Sequence, residues 1–122
     1  MDKSALIGMH HESLLDSMKL WLKFYEFNTY TAPTKDEMLR LLGERKYDLC
    51  LMNANLGTPR GLDISPCREV YSALRSRPGY QETFFLAFSG FQETVENALR
   101  EGIPTVFTAE VFGKLKDRLA SR

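Results

Sequence analysis

The sequence predicts an α/β fold, a doubly wound (βα)5 arrangement in which five parallel strands alternate with five helices. Three observations predict it. Hydrophobic periodicity switches repeatedly between strand-like and helix-like along the chain. The strand segments are continuous in apolar residues rather than alternating, as a parallel sheet covered on both faces requires. Each is followed by an amphipathic segment long enough to cross over to the next strand in a right-handed βαβ unit. Ligands of such sheets bind beyond the carboxyl ends of the strands. That makes five short segments decisive: 8–12, 31–33, 53–60, 88–91 and 107–110.

Each element has its own justification. Ala5-Leu6-Ile7-Gly8-Met9 is an apolar run too short for a helix. Leu14, Leu15, Met18, Trp21, Leu22 and Tyr25 then recur at three- and four-residue spacing, with Asp16, Lys19, Lys23 and Glu26 opposite, which describes an amphipathic helix. Phe27–Thr31 is the second strand. Thr34-Lys35-Asp36-Glu37 is a capping box, opening a helix that carries Met38, Leu41 and Leu42, with Gly43 near its end. Tyr47–Met52 is the third strand, followed by a polar loop from Asn53 to Ser65 that includes the turn Thr58-Pro59-Arg60-Gly61. Ser65-Pro66 supplies a cap and a proline at the first helical position, and Cys67, Val70, Tyr71 and Leu74 form that helix's inner stripe. Thr83–Phe88 is the most β-like run. Ser89, with Gln92 three residues on, is placed to cap a helix bearing Phe91, Val95, Ala98 and Leu99 and ended by Gly102. Thr105–Phe107 is the last strand, and Thr108 opens a helix with Val111, Phe112, Leu115 and Leu119 inward.

Composition narrows the function classes. The 122 residues suit one domain, 1–122, and at 43% hydrophobic and 26% charged they are too apolar for disorder. Lys plus Arg and Asp plus Glu number 16 each, so no overall field draws in a polyanion; this argues against a direct nucleic-acid binder. Cys50 and Cys67 make neither a disulfide framework nor a four-ligand zinc site, and the expectation for both is packing in a reducing cytoplasm. No segment has the roughly 20 apolar residues of a membrane span, and the amino terminus reaches His10, His11 and Glu12 too soon for a signal peptide. The expectation is a soluble cytoplasmic chain without membrane insertion.

At the strand ends the residues resemble the receiver domain of bacterial two-component response regulators. Lys46-Tyr47-Asp48-Leu49-Cys50-Leu51-Met52-Asn53-Ala54-Asn55-Leu56 is similar to that family's third strand, which ends in the phosphoaccepting aspartate, and Gly61-Leu62 to the residues that follow in its loop. Ala87-Phe88-Ser89-Gly90 resembles the fourth strand with its terminal hydroxyl. Ala98-Leu99-Arg100-Glu101-Gly102, followed by Val106-Phe107-Thr108, is similar to the stretch leading to the lysine–proline pair. The resemblance spans essentially the whole chain and implies a flavodoxin-like sheet in the order 2-1-3-4-5. It also implies where phosphoryl chemistry would sit, and there the family's residues are absent. The acidic pair falls on Met9 and His10, the acceptor on Asn53, the lysine on Ala109 and its proline on Glu110; only the hydroxyl, Ser89, is kept. The aromatic switch position falls on Val106, one place before Phe107.

The chemistry of these residue types points the same way. Magnesium is a hard cation that takes oxygen ligands, chiefly carboxylates from the protein. Met9 and a neutral His10 are poor donors to it, and Asn53 offers one uncharged oxygen; Glu12 is the nearest carboxylate in that loop. An amide is no nucleophile toward phosphorus, because its nitrogen lone pair is delocalised. These residues therefore describe a pseudo-receiver: a non-enzymatic signalling module acting through protein partners, with no cofactor, no metal and no aspartyl phosphorylation at the usual place. The alternative is an atypical receiver phosphorylated elsewhere, at Asp63 or Ser89. A flavodoxin-like cofactor binder would need a phosphate-cradling loop after the first strand, of which Gly8-Met9-His10-His11-Glu12-Ser13 is a poor version.

Other groups carry plainer readings. Asn53 either donates to Ser89, holding one conformation, or satisfies hydrogen bonds local to its strand end, and the local role is favoured. His10 and His11 read as an exposed loop pair, since adjacent side chains diverge and no third histidine completes a metal site. The resemblance implies a partner face, with homodimerisation as one use, on the fourth helix, fifth strand and fifth helix, around Phe91, Val106, Phe107, Val111 and Phe112; most of these are expected in the core, with Phe91 exposed. Arg60 is either an ionic contact for a partner or a solvated turn residue. The chain is either a stand-alone binder or the receiver-like part of a longer polypeptide.

Overall fold

The computed structural model describes residues 3–57 and 63–120. Five strands, β1 (Lys3–Gly8), β2 (Phe27–Ala32), β3 (Leu49–Asn53), β4 (Phe84–Ser89) and β5 (Thr105–Phe107), alternate with α1 (Glu12–Phe24), α2 (Lys35–Glu44), α3 (Ser65–Arg75), α4 (Gln92–Arg100) and α5 (Val111–Ala120). All strand pairs are parallel, and the sheet order is β2-β1-β3-β4-β5. The predicted fold class and strand order are those observed.

The apolar runs conceal a period of two that the sheet resolves. Leu6, Cys50, Met52, Phe85 and Ala87 face one side, where Met38, Leu42, Cys67, Val70, Leu74 and Ala98 of α2, α3 and α4 close over them. Ala5, Ile7, Leu49, Leu51, Leu86 and Phe88 face the other, against Met18 and Leu22 of α1 and Val111 and Leu115 of α5. Successive side chains point to opposite faces of a strand, so only a run apolar at every position buries both. Among the described residues no helix is long and apolar enough to cross a membrane.

Element boundaries moved where local hydrogen bonds compete. The third strand starts at Leu49 rather than Tyr47, because Asp48 is tied sideways to Ser4: its carboxylate accepts the Ser4 N–H at 2.8 Å, and its own N–H donates to the Ser4 carbonyl at 2.9 Å. Thr34 caps α2 as predicted, accepting the Glu37 N–H at 3.1 Å, but the Glu37 carboxylate turns to Arg40 instead of completing the box. Ser65 is not the cap of α3. It is the first helical residue, the cap position is Ile64, and the Asp63 carboxylate just before it accepts from the Ser65 N–H at 2.9 Å and hydroxyl at 2.6 Å. These bonds hold the Asp63 carboxyl below the usual carboxylate range. Ser89 is likewise not the cap of α4; that position is Phe91. Gly102 does end α4, at a φ of 80° that a side chain would strain.

Both thiols are buried, as read, and burial is the main reason both titrate high; Cys67 is pushed up to about 12. Unfolded thiols ionise near about 8.5 while the folded ones keep their protons, so the unfolded state gains as pH rises. Stability should therefore fall above that pH by about 1.4 kcal/mol per pH unit for each thiol. Unfolding free energies from urea titrations at about pH 7.5 and about pH 9.5 should differ by about 2–3 kcal/mol in the wild type. The difference should shrink in Cys50→Ala/Cys67→Ala, and an equal loss in both proteins would refute this account of the thiols.

Candidate functional site

The parallel sheet brings the ends of β1, β3 and β4 together at its carboxyl edge, around a crevice of about 160 Å3 lined by His10, His11, Asn53, Asn55, Leu56, Ser89, Gly90 and Phe91. Three of the five pocket residues assigned from sequence, His10, Asn53 and Ser89, meet there. The other two do not. Met9 is 2% exposed and packs in the core cluster that includes Phe88 and Val111, while Ala109 lies exposed in the short 3-10 turn Thr108–Glu110. Leaving β1, the chain keeps Met9 hydrogen-bonded to the strand edge, its N–H donating to the Ala32 carbonyl at 3.0 Å, and turns outward only at His10.

The floor of the crevice is a neutral network. The Ser89 hydroxyl donates to Asn55 Oδ1 at 2.7 Å and accepts the Phe91 N–H at 3.1 Å. Asn55 Nδ2 donates to the Thr94 hydroxyl at 3.2 Å, and the Asn55 N–H donates to Asn53 Oδ1 at 2.8 Å. Asn55, Ser89 and Thr94 are all buried, and every buried polar side-chain atom among the described residues has a partner. The network joins the end of β3 to β4 and the first turn of α4. Asn53 thus has the local role, accepting from the backbone two residues on, and Ser89 pairs with Asn55 rather than with Asn53. Asn55 and Thr94 were missed in the sequence. The available signals were the Asn-Ala-Asn alternation at a strand end, and the spacing of Thr94 from Phe91 and Ala98 along α4.

At the rim, His10 and His11 are exposed, and His11 caps α1 by accepting the Leu14 N–H on Nδ1 at 3.4 Å. Glu12 begins α1 and does not line the crevice, so among the described residues no carboxylate does. Among the described residues no three His, Cys, Asp or Glu side chains gather in a metal-binding arrangement. Gly8 serves packing rather than phosphate: a Cβ there would overlap Met38 Sδ and stand 2.7 Å from its Cε.

The partner-face residues divide. Phe91 is 48% exposed and Phe107 37%. Val106 is half-buried against the core, and Phe112 is half-buried with its ring 5.6 Å from that of Trp21. Val111 is fully buried and belongs to the core, not to a surface. Arg60, Gly61 and Leu62 lie outside the described residues. Three exposed apolar side chains were not anticipated: Leu99 on α4, and Leu20 and Phe24 on the outer side of α1.

No protein-family model matches the sequence, and no curated protein is similar to it. Solved structures do match. The response regulator TrrA of Thermotoga maritima, in complex with Mg(2+)-BeF, aligns with a TM-score of 0.72 and 17% identity over 98% of this chain and 97% of that one. The receiver domain of a sensor histidine kinase from Pseudomonas aeruginosa, with a magnesium ion coordinated in its active site cleft, gives 0.71 and 15% over 96% and 97%. The chemotaxis response regulator CheY4 of Vibrio cholerae gives 0.71 and 15% over 96% and 98%. The fold is that of response regulator receiver domains.

Removing the centre of the network should cost more than removing its edge. Asn55→Ala leaves the buried Ser89 and Thr94 hydroxyls short of partners, a loss of about 1–3 kcal/mol or more. Asn53→Ala gives up one bond at a half-buried strand end, about 0.5–1.5 kcal/mol. Urea unfolding should order the midpoints as wild type, Asn53→Ala, then Asn55→Ala; the reverse order would remove Asn55 from the centre.

Proposed function

We propose that the chain is a pseudo-receiver, a non-enzymatic module that uses the receiver scaffold to bind protein partners without aspartyl phosphorylation or magnesium at the usual site. One observation carries the reading: among the described residues the crevice offers only neutral oxygens, and the side-chain oxygens of Asn53, Asn55 and Ser89 are already engaged in hydrogen bonds. A divalent ion there would have to displace those bonds and would gain no anionic ligand in return. The residues present do not fit magnesium. Nor do they fit a phosphoryl acceptor, since Asn53 carries a resonance-stabilised amide where an anionic carboxylate would attack.

Acceptors elsewhere have less support. Ser89 is 1% exposed, with its hydroxyl committed to Asn55. Asp63 is exposed, but its carboxylate is engaged by the Ser65 N–H and hydroxyl. A flavodoxin-like cofactor reading loses its phosphate loop, because Gly8 lies inside β1 against Met38 and His11 is occupied as a helix cap. Exposed Phe91 and Phe107 support a partner face beside the crevice, where an aromatic pair can anchor a protein contact.

Incubation with acetyl phosphate and magnesium, read by intact mass, tests this directly. The expected mass is unchanged for the wild type and for Asn53→Asp, because restoring one carboxylate leaves Met9 in the core and His10 at the rim. A base-labile adduct on the wild type would overturn the proposal, and peptide mapping to Asp63 would establish the atypical receiver in its place.

A further inference from the structure

The opposite, amino edge of the sheet carries a second surface, independent of the crevice. Three cavities of about 60, 270 and 430 Å3 adjoin there: the first two share Leu74, Tyr80 and Thr83, and the last two share Tyr71 and Arg75. Among the described residues six cations line them, Arg45, Lys46, Arg68, Arg75, Arg77 and Arg118, against a single lining carboxylate, Glu101. In a chain with equal numbers of acidic and basic residues, that is a strong local imbalance. We propose that this edge binds an acidic segment of a partner polypeptide, in which Glu or Asp side chains alternate with apolar ones.

Charge complementarity favours an acidic partner. Glu101 pairs with Arg68 at 2.6 Å, and Glu82, at the rim, pairs with Lys46 at 2.7 Å. Helices α2, α3, α4 and α5 also end at this edge, each bringing about half a negative charge. The four helix ends offset about two of the positive charges, and Glu44, at the end of α2, is paired with Arg40. Among the described residues neither Arg45, Arg75 nor Arg77 has a carboxylate partner. Instead Arg45 lies over the Tyr30 ring at 4.4 Å, and Arg75 stands 5.5 Å from the Tyr71 ring and 5.9 Å from that of Tyr80. Rings hold a guanidinium in place without neutralising it; Arg45 also donates from Nη1 to the Tyr30 hydroxyl, and its other donors remain for a carboxylate. Between the cations the floor is apolar, with Leu74, Phe84 and Pro104.

A nucleic acid fits less well. Its bases would need open aromatic faces, and the faces of Tyr30 and Tyr71 are occupied by arginines. A long polyanion would also run beyond this edge onto a chain whose pI is about 6.7.

The test is fluorescence anisotropy with a labelled short peptide of alternating glutamate and leucine, titrated with the intact chain at low salt. Binding is expected, and the triple variant Arg45→Glu/Arg75→Glu/Arg77→Glu should weaken it about tenfold or more. Arg45 and Arg75 are exposed and Arg77 is half-buried, so circular dichroism of the variant checks that it folds. The variant Lys19→Glu/Lys23→Glu/Lys114→Glu makes the same change in net charge on α1 and α5 and should alter affinity less than about twofold. No binding by the wild type, or an equal loss in both variants, would overturn the proposal. So would tighter binding of a single-stranded oligothymidine than of the peptide.

Discussion

A parallel sheet with both faces buried constrains everything else in this protein. Every strand position from Ala5 to Gly8 and from Leu49 to Met52 is spent on the core, and the helices that cover the sheet spend their inner stripes in the same way. Polar chemistry with access to the sheet is therefore confined to its two edges, where strands give way to loops. At the carboxyl edge the loops after β1, β3 and β4 bring together residues far apart in sequence. At the amino edge the turns before β3 and β4 do the same with arginines and tyrosines. The core confers stability and leaves function to a small number of end positions.

The two ends solve different electrostatic problems. Several carboxylates crowded at one strand edge would repel one another and require a cation to neutralise them. The Asn53–Asn55–Ser89–Thr94 network needs no such ion, because donors and acceptors match within the protein. A closed neutral network in a desolvated floor is rigid, since any member that swings away leaves a buried group unpaired. The amino edge carries arginines held against rings, an arrangement that leaves guanidinium groups in water while their stems pack.

How much of this could be read from the sequence follows from the range of each interaction. The alternation of strands and helices was legible because it is written in local apolar runs and spacings, and the cap at Thr34 because its partner is three residues away. Caps slipped by one or two residues where neighbouring polar side chains compete, as Asp63 does with Ser65. The centre of the crevice was not legible: Asn55 meets Ser89 across 34 residues and Thr94 across 39, distances at which no local pattern speaks. Met9 and Ala109 were matched by position in a motif, and position in a motif does not say which way a side chain points. Leu20 and Phe24 escaped because α1 is apolar on more than its inner stripe, so spacing alone could not separate a core residue from an exposed one.

On the proposed reading, rigidity at the carboxyl edge has a consequence for signalling. A switch needs two conformations separated by a few kcal/mol and an input with different affinity for each. Freeing Ser89 and the β3–α3 connection here would break the Ser89–Asn55 and Asn55–Thr94 bonds together, and two buried hydrogen bonds at about 1–1.5 kcal/mol each hold the alternative below a few per cent. An input that bridged the gap would have to prefer the open state by at least that much, and a crevice of satisfied neutral groups gives a phosphoryl group or a metal ion little to prefer. The faces beside it, with Phe91 and Phe107 exposed, are then presented continuously. Recognition by such a module is governed by how much of it and of its partner is present, and a rigid binding face suits that mode because little conformational entropy is lost on docking.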